Sequence, residues 1–191
     1  MSETRQIAPE ILTRKEVFHG RVFTVTVDAI REGDKTYERD VVHHSGSAVI
    51  VPVFDDGTVA LVRQYRHPAA RYLLEAPAGT LEKGESPEAG AARELEEELG
   101  VVAAKMVKLS EFFVSPGFCE EKMWVYLATA LTETAQRLED DELIEVVRLP
   151  FSQALKMIGE GEIADAKTII GLMLAAPCVG SAMLETSYPA V

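Results

Sequence analysis

The sequence predicts an α/β fold, a mixed sheet between helices with a small antiparallel β unit at the N-terminus. Three observations carry this. Short segments rich in β-branched residues stand on both sides of one well-capped helical stretch, Ser86 to Gly100. Ser47 to Phe54 is almost continuously apolar, the pattern of a strand buried on both faces. Two further helical segments, Ser152–Gly159 and Asp165–Ala176, close the chain, with Pro177 expected to stop the second.

Taken in order, residues 1–13 are polar and expected to be loosely held. From Lys15 the chain turns to strands: Val17-Phe18 before a His19-Gly20 turn, Val22–Val27, then Lys35–His43 after the Glu32-Gly33-Asp34 turn. Such a unit is too small to bury a core alone, so it must pack on something, and a homodimer is expected. Residues 1–45 are assigned to it. Residues 46–176 form the main domain and 177–191 a tail. In the main domain Asp55-Asp56-Gly57 marks a hairpin turn between Ser47–Phe54 and Val59–Val62. Tyr72–Glu75 is a strand running through Ala76-Pro77-Ala78 into the loop before the capped helix. Met106–Leu109, Glu111–Val114, Lys122–Thr129 and Leu143–Leu149 supply the strands after it, with a turn at Ser115-Pro116-Gly117-Phe118.

At 191 residues and 47% hydrophobic, the chain can build one sizeable core. No apolar run is long enough for a membrane span, and the N-terminus shows no signal-peptide pattern. Cys119 and Cys178 make no disulfide framework, so free thiols and a cytoplasmic location are expected. The formal charge of −12 argues against nucleic acid held on a basic surface. It also makes a phosphorylated substrate awkward unless metal ions bridge acid to phosphate.

The acid is concentrated on the capped helix and the loop before it. Ser86 suits the N-cap, Pro87 the first helical position and Gly100 the left-handed residue past the end. Glu94, Glu97 and Glu98 stand at i, i+3 and i+4, so their carboxylates share a face near the helix C-terminus, where anions oppose the macrodipole. A solvated acidic helix tolerates this. Three convergent carboxylates, with Glu85 in the loop before them, also suit a hard divalent cation such as Mg²⁺, with Mn²⁺ or another divalent ion as substitute.

Gly79, Glu85, Arg93, Glu94, Leu95, Glu97, Glu98, Gly100 and Val101 fall at the spacing Gly-x5-Glu-x7-Arg-Glu-U-x-Glu-Glu-x-Gly-U, where U is aliphatic. This segment resembles the Nudix box at every fixed position. The resemblance implies an α/β/α sandwich. Over residues 15–176 the chain is similar to the ADP-ribose pyrophosphatase branch of that superfamily. The similarity rests on the N-terminal strands, Arg63-Gln64-Tyr65-Arg66, Leu74 to Gly79, Ser115-Pro116-Gly117-Phe118 and Asp165-Ala166-Lys167-Thr168.

That resemblance implies Mg²⁺-dependent hydrolysis of ADP-ribose to AMP and ribose 5-phosphate. It implies metal binding by Glu94, Glu97, Glu98 and the Ala78 carbonyl, with Glu97 also counted as catalytic, and phosphate binding by Arg66. Pro116, at the branch's interval after Gly100, would face the terminal ribose. A glutamate of the acidic loop Glu139–Glu142 would assist catalysis, Glu142 first and Glu139 second. Arg93 reaches Glu97 at i, i+4 and would orient the carboxylates. Phe18 and Arg39 are candidates for stacking the adenine, Arg39 from a partner subunit, while Phe23 reads as core. Three rivals stay open: cleavage of another nucleoside-diphosphate sugar such as GDP-mannose, a regulator that binds ADP-ribose without cleaving it, and a simple acidic cation buffer.

Overall fold

The computed structural model of the chain describes residues 8–138 and 143–186, with side chains as far as Gly180. The chain divides into two compact units, Met1–Gly46 with Phe113–Lys122, and Ser47–Phe112 with Met123–Val191.

In the first unit β1 (Glu10–His19), β2 (Thr24–Glu32) and β3 (Lys35–His43) form an antiparallel sheet in that order. The two-residue turn between β2 and β3 needs a positive φ, and Gly33 supplies it at 58°. The segment after Phe113 joins β3 through Val42, whose N–H donates to Phe118 O at 2.8 Å and whose carbonyl accepts from Glu120 N at 3.0 Å. Strand structure begins at Glu10 rather than Lys15. Glu10 pairs with Arg31 in the ladder and by an ion pair, while all ten β1 side chains are exposed, so no apolar period marks the strand. Phe23 is not core. It lies one residue before β2, outside the alternation, 42% exposed and packed on Phe18 with ring centroids 5.5 Å apart.

The second unit holds the site. Its strands are β4 (Ser47–Pro52), β5 (Thr58–Arg66), β6 (Arg71–Glu75), β7 (Ala78–Thr80), β8 (Val101–Phe113), β9 (Lys122–Glu133) and β10 (Glu145–Pro150). They make two sheets, ordered β7-β4-β9-β8 and β10-β5-β6. Its helices are α1 (Pro87–Leu99), α2 (Phe151–Gly159) and α3 (Ala166–Thr186). The first sheet is mixed, because β4 runs parallel to β9 and antiparallel to β7.

All six residues of β4 are buried, and its alternation serves two cores. Ala48 and Ile50 pack with Ala91 and Leu95 of α1, while Val49 and Val51 face the opposite cluster of Leu61, Leu172 and Ala175. The predicted sheet between helices is thus centred on β4. Burying Leu95 completely is worth about 2–5 kcal/mol against alanine, and it ties α1 to the sheet.

Two strands outrun the sequence reading: β8 is one strand where two short segments are predicted, and β9 extends to Glu133. The larger correction concerns Pro177, which does not stop α3: the helix passes through it to Thr186. The ring removes the N–H that would reach Met173 O, at a turn where Met173 itself is 59% exposed. Leu172, Ala175 and Val179, on both sides of the proline, are buried in one core and hold the helix to it. Among the described residues no helix is long and apolar enough to cross a membrane.

Candidate active site

The ends of α1 form as its local chemistry requires. Ser86 Oγ accepts from Ala89 N at 3.2 Å, Pro87 opens the helix, and Gly100 closes it at φ 63° with its N–H on Glu96 O. The last carbonyls are taken up by the chain that follows β9. Arg137 N donates to Glu97 O at 3.0 Å, Gln136 Nε2 to Glu98 O at 2.5 Å, and Thr134 N to Gly100 O at 2.6 Å. A side chain on Gly100 would meet Gln136 N at 2.7 Å, so this seam needs glycine twice over.

Two of the three carboxylates on the acidic face are buried, and Glu97 stays partly exposed. Glu94 is 8% exposed and Glu98 3%. Glu98 accepts from Ala78 N, and Glu94 is held there by Arg93, which works as a clamp. Its Nε donates to Glu85 Oε1 at 2.9 Å and its Nη1 to Glu94 Oε1 at 2.7 Å and Glu97 Oε2 at 2.9 Å. Its Nη2 donates to Glu85 Oε2 at 3.1 Å and Thr80 O at 3.2 Å. Only a planar fork can serve so many acceptors at once. Hydrogen bonding from Arg93 holds the Glu85 carboxyl below its ordinary value, and the same bonds raise the Arg93 guanidinium. The orienting role expected for Arg93 therefore has a geometric basis.

Glu75 to Thr80, from the end of β6 through β7, is bound at every residue. Ala76 N donates to Thr168 Oγ1 at 2.7 Å, Pro77 O accepts from Ile50 N at 2.9 Å, and Ala78 N donates to Glu98 Oε2 at 3.2 Å. Gly79 is glycine because the Glu94 carboxylate lies against it: a Cβ there would fall 1.8 Å from Glu94 Oε1. Thr80 gives its carbonyl to Arg93.

Glu75 opens this strip and is 1% exposed. Arg66, at the end of β5, grips it with Nε and Nη2, both at 2.7 Å, and Lys167 Nζ bonds Oε2 as well. Burial alone would raise the Glu75 carboxyl, but the two cations outweigh it and hold it below its ordinary value. The Arg66 side chain remains 41% exposed. The sequence reading missed Glu75 and Lys167 as site residues. They lie 92 positions apart, and no local pattern pairs them.

The oxygen donors of α1 suit a hard divalent cation, and the cradle at Gly79 sets Glu94 against the strip that carries Ala78. Arg93 bonds Glu85, Glu94 and Glu97 while Glu98 accepts from Ala78 N, and acidic oxygens gathered in this way are what such a cation prefers. Among the described residues no three acidic, histidine or cysteine side chains are already drawn into a cage, and Arg93 Nη1 bridges Glu94 and Glu97.

The other candidates lie in the first unit or outside the description. Arg39 and Pro116 line one cleft of about 430 Å³, together with Phe113 and Phe118. Arg39 stacks on Tyr37, 4.3 Å from the ring centroid. Phe18, 49% exposed, is level with Val25 and Val42 across the sheet, and Arg39 with Asp28 and Arg14. Within one chain the two are therefore not brought together. Glu139 and Glu142 lie outside the described residues.

The chain is similar to known proteins. An ADP-ribose pyrophosphatase of Bacillus subtilis (strain 168) is 38% identical over 167 residues, 86% of this chain and 90% of its own. A GDP-mannose pyrophosphatase of Yersinia pestis (strain Pestoides F) is 40% identical over 161 residues, 78% of this chain and 76% of its own. A solved structure described as an ADP compounds hydrolase matches the fold with a TM-score of 0.78 at 24% identity, covering 91% of this chain and 95% of that one. The model of the NUDIX domain matches residues 44–170, which take in the whole Arg93 clamp, the strip from Glu75 to Thr80 and Lys167. With two thirds of its length matched and these relatives at such identity, the chain belongs to the Nudix family.

Proposed function

We propose that this chain hydrolyses the pyrophosphate of ADP-ribose to AMP and ribose 5-phosphate, with Mg²⁺ as its metal. Nudix hydrolases act with divalent metal ions. The observation that carries the reading here is the Arg93 clamp, which joins Glu85 of the loop to the buried Glu94 and the partly exposed Glu97 of α1. A regulator or a cation buffer has no use for such a clamp, nor for a glycine at 79 shaped to Glu94. ADP-ribose is preferred on the Bacillus subtilis relative, which spans most of this chain.

Glu94, Glu97, Glu98 and the Ala78 carbonyl are assigned to the metal, which when bound neutralises the pyrophosphate and acidifies water. Arg93 holds the glutamates before substrate arrives, so little reorganisation is left for the reaction. Arg66 offers the phosphates the edge of its guanidinium that faces away from Glu75. Glu142, or Glu139, is assigned as the assisting acid. Phe18, with Arg39 from a partner subunit, is assigned to the adenine and Pro116 to the terminal ribose. A homodimer is proposed because β1 is an edge strand with Ile11, Leu12, Val17 and Phe18 exposed. A cytoplasmic location is proposed on the two free cysteines.

The Yersinia pestis relative supports a second reading, in which the substrate is GDP-mannose. A panel of ADP-ribose, GDP-mannose, UDP-glucose, NADH and diadenosine polyphosphates, assayed by phosphatase-coupled phosphate release at one Mg²⁺ concentration, separates the two. ADP-ribose is expected to give the highest kcat/KM. A tenfold preference for GDP-mannose overturns the substrate and leaves the metal site standing.

A further inference from the structure

Arg66 meets two anions of opposite consequence. Behind it lies Glu75, which fixes the guanidinium through two bonds of 2.7 Å. In front of it, on the function proposed above, comes a phosphate. A carboxylate this close competes with the phosphate for the same positive charge. Glu75 is 1% exposed, so its charge is met by the side chains around it and not by water, whereas Arg66 is 41% exposed.

The structure contains a device that relieves it. Lys167, the second residue of α3, has a side chain only 9% exposed and reaches Glu75 Oε2, the oxygen that also accepts from Arg66 Nη2. Asp165 holds Lys167 from the other side at 3.1 Å. Asp165 is itself fixed by Thr168, whose N–H and hydroxyl donate to Oδ2 at 3.0 and 2.6 Å. Thr168 Oγ1 in turn accepts from Ala76 N, so the start of α3 is bolted to the residue after Glu75. The group is balanced: Arg66 and Lys167 against Glu75 and Asp165. Buried ion pairs contribute little net stability compared with well-packed apolar residues, so folding alone does not account for placing a lysine here.

We propose that Lys167 is a positioning residue for phosphate binding: it offsets the charge of Glu75, so that Glu75 orients Arg66 without competing for it. Removing Lys167 leaves Glu75 either competing with the phosphate or protonated and unable to accept both Arg66 bonds. Each outcome weakens phosphate capture through Arg66.

The test is a double-mutant cycle read by binding, which does not depend on turnover. The Kd of ADP in Mg²⁺ is measured by calorimetry for the wild type, Lys167→Met, Glu75→Gln and the double variant, with Lys167→Arg as the conservative control. Lys167→Gln replaces Lys167→Met should the latter not fold. Lys167→Met is expected to raise the Kd about tenfold or more, the scale of one charge-assisted hydrogen bond. Lys167→Arg is expected to bind within threefold of wild type. In the Glu75→Gln background, removing Lys167 is expected to change the Kd by less than threefold, because the charge of Glu75 is gone and the remaining carboxylate, Asp165, is held by Thr168. With substrate, the loss is expected in KM rather than kcat. The proposal is overturned if Lys167→Met lowers the melting temperature but leaves the Kd unchanged, if it raises the Kd equally in both backgrounds, or if the wild type does not bind ADP. A wild type that binds ADP in this pattern but hydrolyses nothing in the substrate panel refutes the proposed function and not the role of Lys167.

Discussion

Replacing Gly79 by alanine adds one methyl group and leaves every charge in place, so it tests the geometry of the site alone. The new Cβ would lie 1.8 Å from Glu94 Oε1 and 1.9 Å from its Cδ. Ordinary contact begins at 3.4 Å, so the carboxylate has to retreat by about 1.6 Å or the β7 backbone has to shift. Glu94 is also held by Arg93 Nη1, which holds Glu97 in turn, so the displacement spreads along the clamp. A misplacement of about 1 Å at a catalytic constellation costs roughly 100-fold in rate, and overpacking a tight site costs about 1–3 kcal/mol. For a chain of 191 residues that is a fall in Tm of roughly 2–12 °C. Gly79→Ala should therefore remain folded at 25 °C and lose about 100-fold in kcat for ADP-ribose at saturating Mg²⁺. The assay is phosphatase-coupled phosphate release, with a thermal melt on the same sample. A variant that keeps kcat within threefold of wild type would show that the position of Glu94 against β7 does not matter to the reaction.

Glu94→Gln and Glu98→Gln should each cut kcat by about 100-fold or more with the fold intact; near-normal turnover of either variant at saturating Mg²⁺ removes that residue from the site. Glu142→Gln should lower kcat with little change in KM, and Glu139→Gln should do so less; the reverse ranking exchanges their roles, and no effect from either removes the loop from the mechanism. Because the Glu75 carboxyl is held below its ordinary value of 4.5, it contributes stability above about pH 4.5 that is lost as the pH falls through its folded value. The acid limb of a Tm-against-pH curve should accordingly be shallower for Glu75→Gln than for wild type, and parallel limbs would contradict the pairing. Sedimentation at micromolar concentration should give about twice the 20.9 kDa chain mass, and a fully active monomer would exclude the dimer.

What could be read in the sequence was what is decided locally. Ser86, Pro87 and Gly100 bound α1 because capping depends on residues one to four positions away. The unbroken apolar run of β4 announced burial on both faces, and the Arg93–Glu97 contact followed from helical spacing. Where a distant partner decides, the local rule failed. Pro177 should break a helix, yet the core on either side of it keeps α3 continuous. Glu10 to Thr13 carry no strand period because β1 is held by its ladder with β2 and not by buried side chains. The motif requires glycine at 79, but the reason is a carboxylate fifteen positions later, visible only once α1 is packed on β4 and β7. Buried charge is least legible of all, since Glu75, Lys167, Glu94 and Glu98 belong to residue types that composition places in water.

The strip from Glu75 to Thr80 also resolves the difficulty that the net charge of −12 raised for an anionic substrate. At one end Glu75 and Asp165 are matched by Arg66 and Lys167, so on the proposed function a phosphate would meet a partly exposed guanidinium whose carboxylate partner is already offset. At the other end Glu85, Glu94, Glu97 and Glu98 gather acidic oxygens around Arg93 and Ala78, a donor set that suits a divalent cation. A pyrophosphate bound to such a cation would meet compensated charge at both ends. The short strip makes the spacing between the two ends rigid, since every one of its residues is hydrogen-bonded or packed against β4, α1 or α3. On the proposed function an acidic protein would hold a pyrophosphate without a basic surface, because the balance is struck among the side chains that flank this six-residue strip and not over the whole chain.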